Sequence, residues 1–489
     1  MAAAAHRMTL ITAAAPLVLV IVLLASGRFG ALAAGAAGLV ATAIAALVLR
    51  GSDGFAGFAV TQTLVGTWLS WQVISIVAGG VFFYRCLAGR PQAKAAAPAT
   101  PTAPDHRRLY FVCFLLGPFA ESVTGFGVGY IIALAAVTRL GVGGVPALLF
   151  GLYSQSMVPW GALAAGTTVG ALLTGLSPTT LGMLCGLLQM PVHLGYLALF
   201  WFFRRSIGPA PSAAQRLDDL AWTVAIVAAV WASHLIIDVE IAGAAPLGVL
   251  TALRWLRDER PDGAALRRAA SSAAPYAALT LALVLTRTIA PLQATLKSLW
   301  AWQPLAGQPP FPPFYAPGFW LFAVGLLSAL VLRAPMTTVV RTAARAAWRP
   351  SVVTLLFVVM AAFYVAAGMA SIIADALSAA VGSAAALATP LFAAIGGFLT
   401  GSGSASNAML MPMQAALATE THLPLQWVAA VQNSVTTNFT MLSPIRVSMG
   451  AAILALAGGD GAVYRRAWPL ALPSMLVGVA TILVMLLKS

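Results

Sequence analysis

Charged residues are scarce in this sequence, and their scarcity excludes a water-soluble protein. Only 8% of the 489 residues are Asp, Glu, Lys or Arg, whereas 60% are apolar. Soluble domains carry roughly 25% charged residues. The alternating stretches of about ten residues that are typical of membrane β-strands are also missing, since the runs 10–25 and 29–49 stay apolar without alternation. We therefore predict an all-α fold, a polytopic bundle of transmembrane helices.

Motifs of soluble enzymes are missing as well. The sequence contains no phosphate-binding loop, no H-E-x-x-H and no G-x-S-x-G. Its three cysteines, Cys86, Cys113 and Cys185, lie in or beside apolar runs without the spacing of zinc ligands. We expect a protein that is not an enzyme and that uses neither a metal nor another cofactor.

Long apolar runs, by contrast, are abundant. A helix needs about 20 apolar residues to cross ~30 Å of hydrocarbon, so the chain has material for roughly 12 to 14 spans. The run that follows the weakly basic start has no clear cleavage signal and is interpreted as the first span rather than as a signal peptide. We predict a flexible loop over Pro91 to Asp105 and an extracytoplasmic loop over Pro291 to Pro317.

The basic residues lie mainly between the apolar runs. The net charge is +14, from 27 basic and 13 acidic residues. Cytoplasmic loops hold such an excess, so the charge indicates membrane topology rather than binding to nucleic acid. We expect a multi-pass protein of the cell (inner) membrane. The basic clusters fall at 85–108, 204–216, 254–268, 333–349 and 465–466.

Four polar islands interrupt the apolar sequence. Two are rich in glycine, Gly117 to Gly129 and Gly396 to Asn407, and each is followed by a second island, Ser154 to Gly161 and Gln432 to Arg446. Irregular backbone at membrane depth persists only where protein or water satisfies its amides and carbonyls. The glycine-rich islands are therefore candidate helix breaks or tips of re-entrant hairpins, although close packing of helices through small residues is the alternative.

The islands recur at a nearly constant distance. Phe119 aligns with Phe398 at an offset of 279, and Gln155 aligns with Asn433 at an offset of 278. Shifting the basic loops by 279 residues gives opposite sidedness in every comparison, as expected for an inverted-topology repeat. Chance similarity in a chain rich in Gly and Ala is the alternative. The predicted organisation is a first repeat over 1–203, linking spans over 204–269 and a second repeat over 270–489.

Broken helices expose free N–H groups at the positive end of the helix dipole, which suits an anionic carboxylate. Arg446 follows Ser443 and Pro444 within apolar sequence, where its planar guanidinium suits a bidentate anchor for an anion; an interfacial or helix-pairing Arg is the alternative. Arg287 lies near a span end and is expected to snorkel. The candidate substrate-binding residues are Ser122, Thr124, Gly125, Gly127, Gln155, Ser156, Thr400, Ser402, Ser404, Ser406, Asn407, Asn433, Ser443 and Arg446.

Glu121 is the most informative acidic residue, because it lies inside a polar break with apolar sequence on both sides. A carboxyl group within a membrane is rare and functional by default. We predict that Glu121 carries a proton, with an interfacial Glu at a helix end as the alternative. The other acids, Asp238, Glu240 and Asp375, are expected to be solvated. His193 and His234 are expected to be structural.

Together the islands resemble the lactate permease family of bacterial secondary transporters. The resemblance rests on FAESVTGFG from Phe119, SQSMVPWGAL from Ser154, GGFLTGSGSASNAML from Gly396 with Gln414 following, and the Asn433 to Ser448 region. It implies proton-coupled uptake of lactate and glycolate. The chain departs from the family pattern, which has Asp in place of Gly403, Lys in place of Thr440, and small polar residues in place of Ile445 and Arg446.

The leading hypothesis is symport of a proton with a small monocarboxylate by alternating access. The alternatives are an uncoupled anion channel or facilitator, or a transporter of another small anion such as a sulfonate or dicarboxylate. The expected partners are the anion, the proton and the lipid bilayer, and homo-oligomerisation stays open.

Overall fold

The computed structural model of the chain describes residues 2–88, 104–125, 127–456 and 459–488. Within these ranges the chain folds into helices and forms no β-strand, apart from an isolated bridge between Trp302 and Phe311. The prediction of an all-α membrane bundle is confirmed. The predicted flexible loop lies almost wholly outside the described residues.

The described residues up to Glu259 form twelve helices. They are α1 Ala2–Ala25, α2 Ala31–Arg50, α3 Phe55–Ala88, α4 His106–Phe111, α5 Gly117–Thr124, α6 Val128–Arg139, α7 Gly144–Leu152, α8 Gly161–Thr174, α9 Pro178–Arg204, α10 Ala213–Ser233, α11 Val239–Ala242 and α12 Ala244–Glu259. A π-helical turn, Val112–Leu116, joins α4 to α5 without a break.

Eleven helices follow. They are α13 Gly263–Thr288, α14 Ala290–Ser298, α15 Pro317–Val331, α16 Met336–Ala366, α17 Met369–Val381, α18 Ala388–Thr400, α19 Gly403–Glu420, α20 Leu425–Phe439, α21 Pro444–Ile453, α22 Gly459–Ala467 and α23 Leu472–Leu486. The helix α14 occupies part of the predicted extracytoplasmic loop.

Nine helical segments in the described ranges are long and apolar enough to cross a membrane, or up to ten if one bent pair is counted. This is fewer than the roughly 12 to 14 spans for which the chain has apolar material. The difference arises because several apolar runs are interrupted. The run 109–138 is broken at Gly125, and the run 142–174 is bent by 53° between Gln155 and Val158.

Both glycine-rich islands form helical hairpins. In the first hairpin, α5 and α6 pack side by side, since a Cβ atom at Gly129 would lie 2.5 Å from the Glu121 nitrogen and 2.6 Å from the Gly117 oxygen. In the second, α18 and α19 pack so closely that a Cβ atom at Gly396 would lie 2.2 Å from the Ser406 hydroxyl. The islands are therefore helix breaks at hairpin tips, and their glycines also serve close packing.

Two large apolar cores surround the hairpins. One lies mainly among α4 to α10, α20 and α23. The other lies mainly among α1 to α3, α13, α15, α16 and α19. Ala162 belongs to the second core and Ala164 to the first, and in the same way Met409 and Met411 belong to different cores. The broken segments therefore lie where the two cores meet.

Arg254 differs from the expectation of a solvated basic loop. Its side chain is fully buried, with Nη1 2.8 Å from Asp218 and Nε 2.5 Å from Asp258. Its guanidinium also lies over the rings of Tyr110 and Trp222. The paired carboxylates and aromatic faces compensate the lost hydration of this charge.

Arg287 also differs from its expected environment. Only 5% of the residue is exposed, so it does not snorkel into solvent. Its Nη2 donates to the Tyr315 carbonyl oxygen at 2.8 Å, and the guanidinium lies over the Tyr315 ring. Among the acids expected to be solvated, Asp375 is exposed. Asp238 is half-buried and accepts a hydrogen bond from the Tyr315 hydroxyl.

Candidate functional site

The tip of the first hairpin depends on glycine. Gly125 has φ 67° and ψ −165°, and Gly127 has φ 82°, and both conformations are costly for residues with a Cβ atom. A Cβ atom at Gly125 would lie 2.3 Å from the Ala162 Cβ, and one at Gly127 would lie 1.7 Å from Nη1 of Arg446. Glycine at these positions lets other elements approach the break.

The Glu121 carboxylate accepts hydrogen bonds from the backbone of this tip. Its Oε1 accepts a hydrogen bond from the Gly127 N–H and its Oε2 accepts one from the Gly129 N–H, both at 3.0 Å. The residue is only 3% exposed. The first N–H groups of a helix have no partner within the helix, and the positive dipole end favours a negative charge. The carboxylate of α5 therefore caps the start of α6 inside the bundle.

Arg446 lies beside Glu121. Its Nη2 is 3.7 Å from Glu121 Oε1, a separation that is too long for a direct hydrogen bond but short enough for a strong charge interaction at a buried position. Only 8% of Arg446 is exposed, and its Nε has no hydrogen-bonding partner in the described part of the chain. The guanidinium therefore retains donor capacity for another acceptor.

The second hairpin tip is built from neutral groups. Gly401 has φ 61°, and the Ser402 hydroxyl caps α19 by accepting from the Ala405 N–H at 3.3 Å. The Thr400 hydroxyl donates to the Gly396 carbonyl at 2.7 Å and accepts from the Ser402 N–H at 3.2 Å. Under the offset of 279, Thr400 aligns with Glu121. One tip thus holds a carboxylate where the other holds a hydroxyl.

The segment Ser443 to Arg446 bridges the two tips. The Ser443 hydroxyl accepts from the Arg446 N–H at 3.3 Å and so caps α21. A Cβ atom at Gly401 would lie 2.8 Å from this hydroxyl oxygen, while the Arg446 guanidinium contacts Gly127. One short segment therefore contacts both breaks.

The start of α8 bridges the tips on another side. Ala162 contacts Gly125, and a Cβ atom at Gly166 would lie 3.2 Å from the Gly403 carbonyl carbon. Ala162, Leu163 and Ala164 have φ values of 51°, 50° and 58°. Each left-handed non-glycine residue costs roughly 1–2 kcal/mol. Such strain persists only where surrounding packing holds it, and it clusters at functional sites.

Buried amides and hydroxyls join the second hairpin to α8 and α20. Asn407 Nδ2 donates to Asn433 Oδ1 at 2.7 Å and to the Gly166 carbonyl at 3.0 Å. Asn433 Nδ2 donates in turn to the Thr167 hydroxyl at 2.9 Å. A separate hydrogen bond of 3.0 Å joins the hydroxyls of Ser406 and Thr436. Networks of this kind fix one helix arrangement, since each group is costly to leave unpaired in an apolar surround.

The predicted residues differ in where their side chains lie and in what they contact. Those at or between the tips are Glu121, Gly125, Gly127, Ser443 and Arg446, and those in the amide and hydroxyl network are Ser406, Asn407 and Asn433. Those whose hydrogen bonds stay within their own hairpin are Thr124, Thr400 and Ser402. Ser404 is half-buried. Ser122, Gln155 and Ser156 are fully buried, and each has a side-chain oxygen without a partner among the described residues.

Sequence reasoning missed several polar residues of this region. Gln189 and Thr167 are not among the predicted residues. Both are buried: the Gln189 side chain contacts the Ser156 carbonyl before α8, and the Thr167 hydroxyl accepts from Asn433 of α20. The signal was present, because Gln189 and His193 are spaced by four residues and so lie on one face of an otherwise apolar helix.

Two of the departures from the family pattern lie close to one another. A Cβ atom at Gly403 would lie 2.9 Å from the Thr437 methyl group, and the Thr440 hydroxyl donates to the Thr437 carbonyl at 2.7 Å. The acid and base that the resemblance leads one to expect at 403 and 440 are thus replaced together by uncharged residues. The charge pair of this chain, Glu121 with Arg446, lies at the other tip.

Comparison with known families gives a match in the second half of the chain. Residues 309–488 match the family model described as L-lactate permease. Over these residues, which make up less than half of the chain, the sequence is similar to the lactate permease family. The resemblance inferred from the polar islands is thereby confirmed for this part of the chain, as are multi-pass membrane location and transport. The matched family is a family of transporters rather than of enzymes. No match was found among curated proteins.

The lactate permease match covers one side of the site. The second tip, Ser443 and Arg446 lie within the matched residues, whereas Glu121 and the first tip precede them. The family match thus includes the base of the buried charge pair but not the acid.

Proposed function

We propose that the chain is a secondary active transporter that moves a small organic anion, a monocarboxylate such as lactate or glycolate, together with a proton. The observation that carries this proposal is the buried pair of Glu121 and Arg446 at the meeting point of two broken helices, with 3.7 Å between their charged groups. An isolated charge at such a depth is expensive, so each member constrains the other's charge state.

Arg446 supplies the anion contact in this proposal. Its Nε has no partner among the described residues, and its terminal nitrogens lie beside Gly127. A guanidinium donates two parallel hydrogen bonds to a carboxylate, which fixes both the position and the orientation of the anion. The incoming carboxylate therefore competes with Glu121 for the same positive charge.

Glu121 supplies the proton coupling. When its carboxylate is ionised, it neutralises Arg446 and repels a second carboxylate. When it is protonated, the repulsion disappears and Arg446 is free to pair with the substrate. Proton and anion binding are then linked with a positive sign, and each increases the affinity for the other.

Many transporters that work by alternating access are built from an inverted-topology repeat, in which the two hairpins of this chain would open to opposite faces. In the predicted topology the loop 85–108 is cytoplasmic, and it leads into the first hairpin. Because α3 crosses the membrane immediately before this loop, Arg50 lies on the opposite, outer side in the same topology. It donates to the Ala366 carbonyl at 3.4 Å. The next helix contributes Ala374 to a small apolar cluster that contains Leu417, near the open end of the second hairpin. These contacts support opposite entry of the two hairpins.

An uncoupled anion facilitator is the second candidate, and one observation favours it. Both Glu121 carboxylate oxygens are already bonded to the Gly127 and Gly129 amides. A carboxylate that only caps α6 would hold the tip in place without ever exchanging a proton. In that case the anion would move down its own gradient, independently of pH.

Transport by purified protein in liposomes separates the two candidates. Radiolabelled lactate is offered outside vesicles with an alkaline interior, and a proton ionophore serves as the control. Accumulation above the external concentration that the ionophore abolishes is the expected result. Equilibration to equal concentrations, with or without the pH gradient, would contradict proton coupling and leave the facilitator.

A further inference from the structure

The hydroxyl of Tyr130 is buried in the first hairpin without a hydrogen-bonding partner among the described residues. Tyr130 lies on the first turn of α6, and the residue is fully buried. Buried tyrosine hydroxyls usually have a partner, because an unpaired donor loses its hydrogen bonds to water without compensation. The unpaired hydroxyl therefore points to a bound group that the protein itself does not supply.

The other tyrosines at comparable depth in the described chain all have such partners. Five tyrosines are at most 1% exposed. The hydroxyls of four of them bond a protein oxygen at 2.8–3.1 Å, namely those of Tyr110, Tyr153, Tyr196 and Tyr364. Tyr130 is the exception, and it is the one of the five that lies in a hairpin with a glycine-rich tip. The missing partner is thus specific to this position.

Tyr130 and Arg446 lie at consecutive turns of one contact between α6 and α21. A Cβ atom at Gly127, at the start of α6, would lie 1.7 Å from Nη1 of Arg446. A Cβ atom at Gly450, on α21, would lie 1.9 Å from the Tyr130 hydroxyl oxygen. Residues 127 and 130 are three apart and residues 446 and 450 are four apart, so each pair lies on one helix face. Each helix therefore places a polar side chain against a glycine of the other.

Arg446 and Tyr130 both keep unused donors at this contact. The Arg446 Nε and the Tyr130 hydroxyl have no partner in the described part of the chain, so these two groups do not bond each other. They are close enough for the Arg446 charge to act on the hydroxyl. Donors about 5.4 Å apart, one helical turn, can both reach one carboxylate, because each hydrogen bond spans about 2.8 Å. The pair therefore suits one small anion held between α6 and α21.

We propose that Tyr130 is a second anion-binding residue, whose hydroxyl donates to the carboxylate that Arg446 holds between α6 and α21. The inference rests on the proposed function, in which the substrate carboxylate pairs with Arg446 in place of Glu121. A tyrosine hydroxyl adds a donor without adding a charge. Tyr130 therefore sets the affinity for the anion, whereas Glu121 sets how that affinity depends on pH.

Tyr130→Phe tests the inference, because it removes the hydroxyl and keeps the ring. Lactate binding to the purified full chain is measured across a pH series by competition with labelled lactate. The affinity of Tyr130→Phe should fall by about tenfold or more, the effect of losing one hydrogen bond to a charged group. It should still rise as the pH falls, as in the wild type. The melting temperature without lactate should not fall, since the hydroxyl has no protein partner to lose.

Tyr364→Phe is the matched control. Its hydroxyl donates to the Ala13 carbonyl oxygen at 3.0 Å, and the residue belongs to the apolar core that does not contain Tyr130. This variant should melt at a lower temperature than the wild type, because it loses a buried hydrogen bond within the protein. Its lactate affinity should stay within about twofold of the wild-type value.

Three results would count against the proposals. A lactate affinity of Tyr130→Phe within about twofold of the wild-type value would overturn the inference and show that the hydroxyl bonds only water. Loss of the pH dependence in Tyr130→Phe would also overturn it, because the hydroxyl would then take part in proton exchange. Absence of lactate binding to the wild type would instead overturn the proposed function, and this inference with it.

Discussion

The two hairpin tips solve the same problem with different chemistry. Each ends one helix at a glycine with positive φ and begins another whose first N–H groups need acceptors. The first tip uses the Glu121 carboxylate, which then needs Arg446 nearby. The second uses the hydroxyls of Thr400 and Ser402. Hydroxyls are inexpensive to bury when bonded, whereas a buried charge requires a partner. In the proposed mechanism, proton and anion chemistry therefore concentrates at the first tip, while the second tip is structural.

The largest effect is expected from removing the charge of the first tip. Glu121→Gln mimics the protonated acid and should abolish accumulation of lactate driven by a pH gradient. Exchange between equal pools should persist, because that process needs no net proton movement. In this variant the side-chain NH2 group would face a backbone N–H that donates to a carboxylate oxygen in the wild type. The free energy of unfolding is therefore also expected to fall by roughly 1–3 kcal/mol. Full gradient-driven accumulation by this variant would exclude Glu121 from coupling.

The next largest effect is expected from changing Arg446, which pairs with Glu121. Arg446→Lys keeps the positive charge but loses the planar fork, so anion binding should weaken by about tenfold, equivalent to ~1.4 kcal/mol. Binding is measured by competition with labelled lactate, and the melting temperature of the variant shows whether it folds. Unchanged affinity would assign Arg446 to pairing with Glu121 alone.

A glycine pair sharpens the comparison of tip and loop. Gly125 and Gly175 have φ values of 67° and 70°, but a Cβ atom would meet Ala162 at Gly125 and open space at Gly175. Gly175→Ala should cost about 1–2 kcal/mol from the backbone alone. Gly125→Ala should cost roughly 1–3 kcal/mol more, because it also overpacks the tip and because ψ is −165° at Gly125 but 10° at Gly175, so that only Gly125 lies in a region restricted to glycine. The melting temperatures of the two variants measure the difference. Equal values would show that the close contact between Gly125 and Ala162 of α8 does not contribute to stability.

The smallest effect is expected at the second tip. Thr400→Val removes a hydroxyl that bonds only within its own hairpin, so stability should fall by about 0.5–1.5 kcal/mol. Proton-driven accumulation should remain, because no charge changes. Loss of coupling in Thr400→Val at normal protein abundance would break the distinction between the tips.

Much of the architecture could be predicted from the sequence. The scarcity of charge and the apolar runs identified a helical membrane protein, and the glycine-rich islands marked both hairpin tips, because glycine and polar side chains have few other reasons to occur at membrane depth. The pairing of Glu121 with Arg446 could not be predicted. The two residues are far apart in the chain, and only the packing of α21 against the first tip brings them together.

Other contacts could not be predicted either, because they too depend on how the helices pack. Arg254 lies in a basic stretch of the sequence, yet its side chain is buried and pairs with Asp218 and Asp258. The pairing with Asp218 depends on the packing of α10 against α12. Gln189 was not predicted, because the Ser156 carbonyl that its side chain contacts lies in the bend before α8, far away in the sequence. The left-handed turn at Ala162 has no sequence signal, since alanine does not favour that conformation.

The central claim is that protonation of Glu121 frees Arg446 to bind the anion, and the pH dependence of lactate binding tests it most directly. Affinity is measured across a pH series for the wild type and for Glu121→Gln, with Thr400→Val as the control. In the wild type and the control, affinity should rise as the pH falls, because protons and anion bind with positive linkage. In Glu121→Gln it should be high and independent of pH over the same range. The same pH dependence in Glu121→Gln as in the wild type would contradict the account.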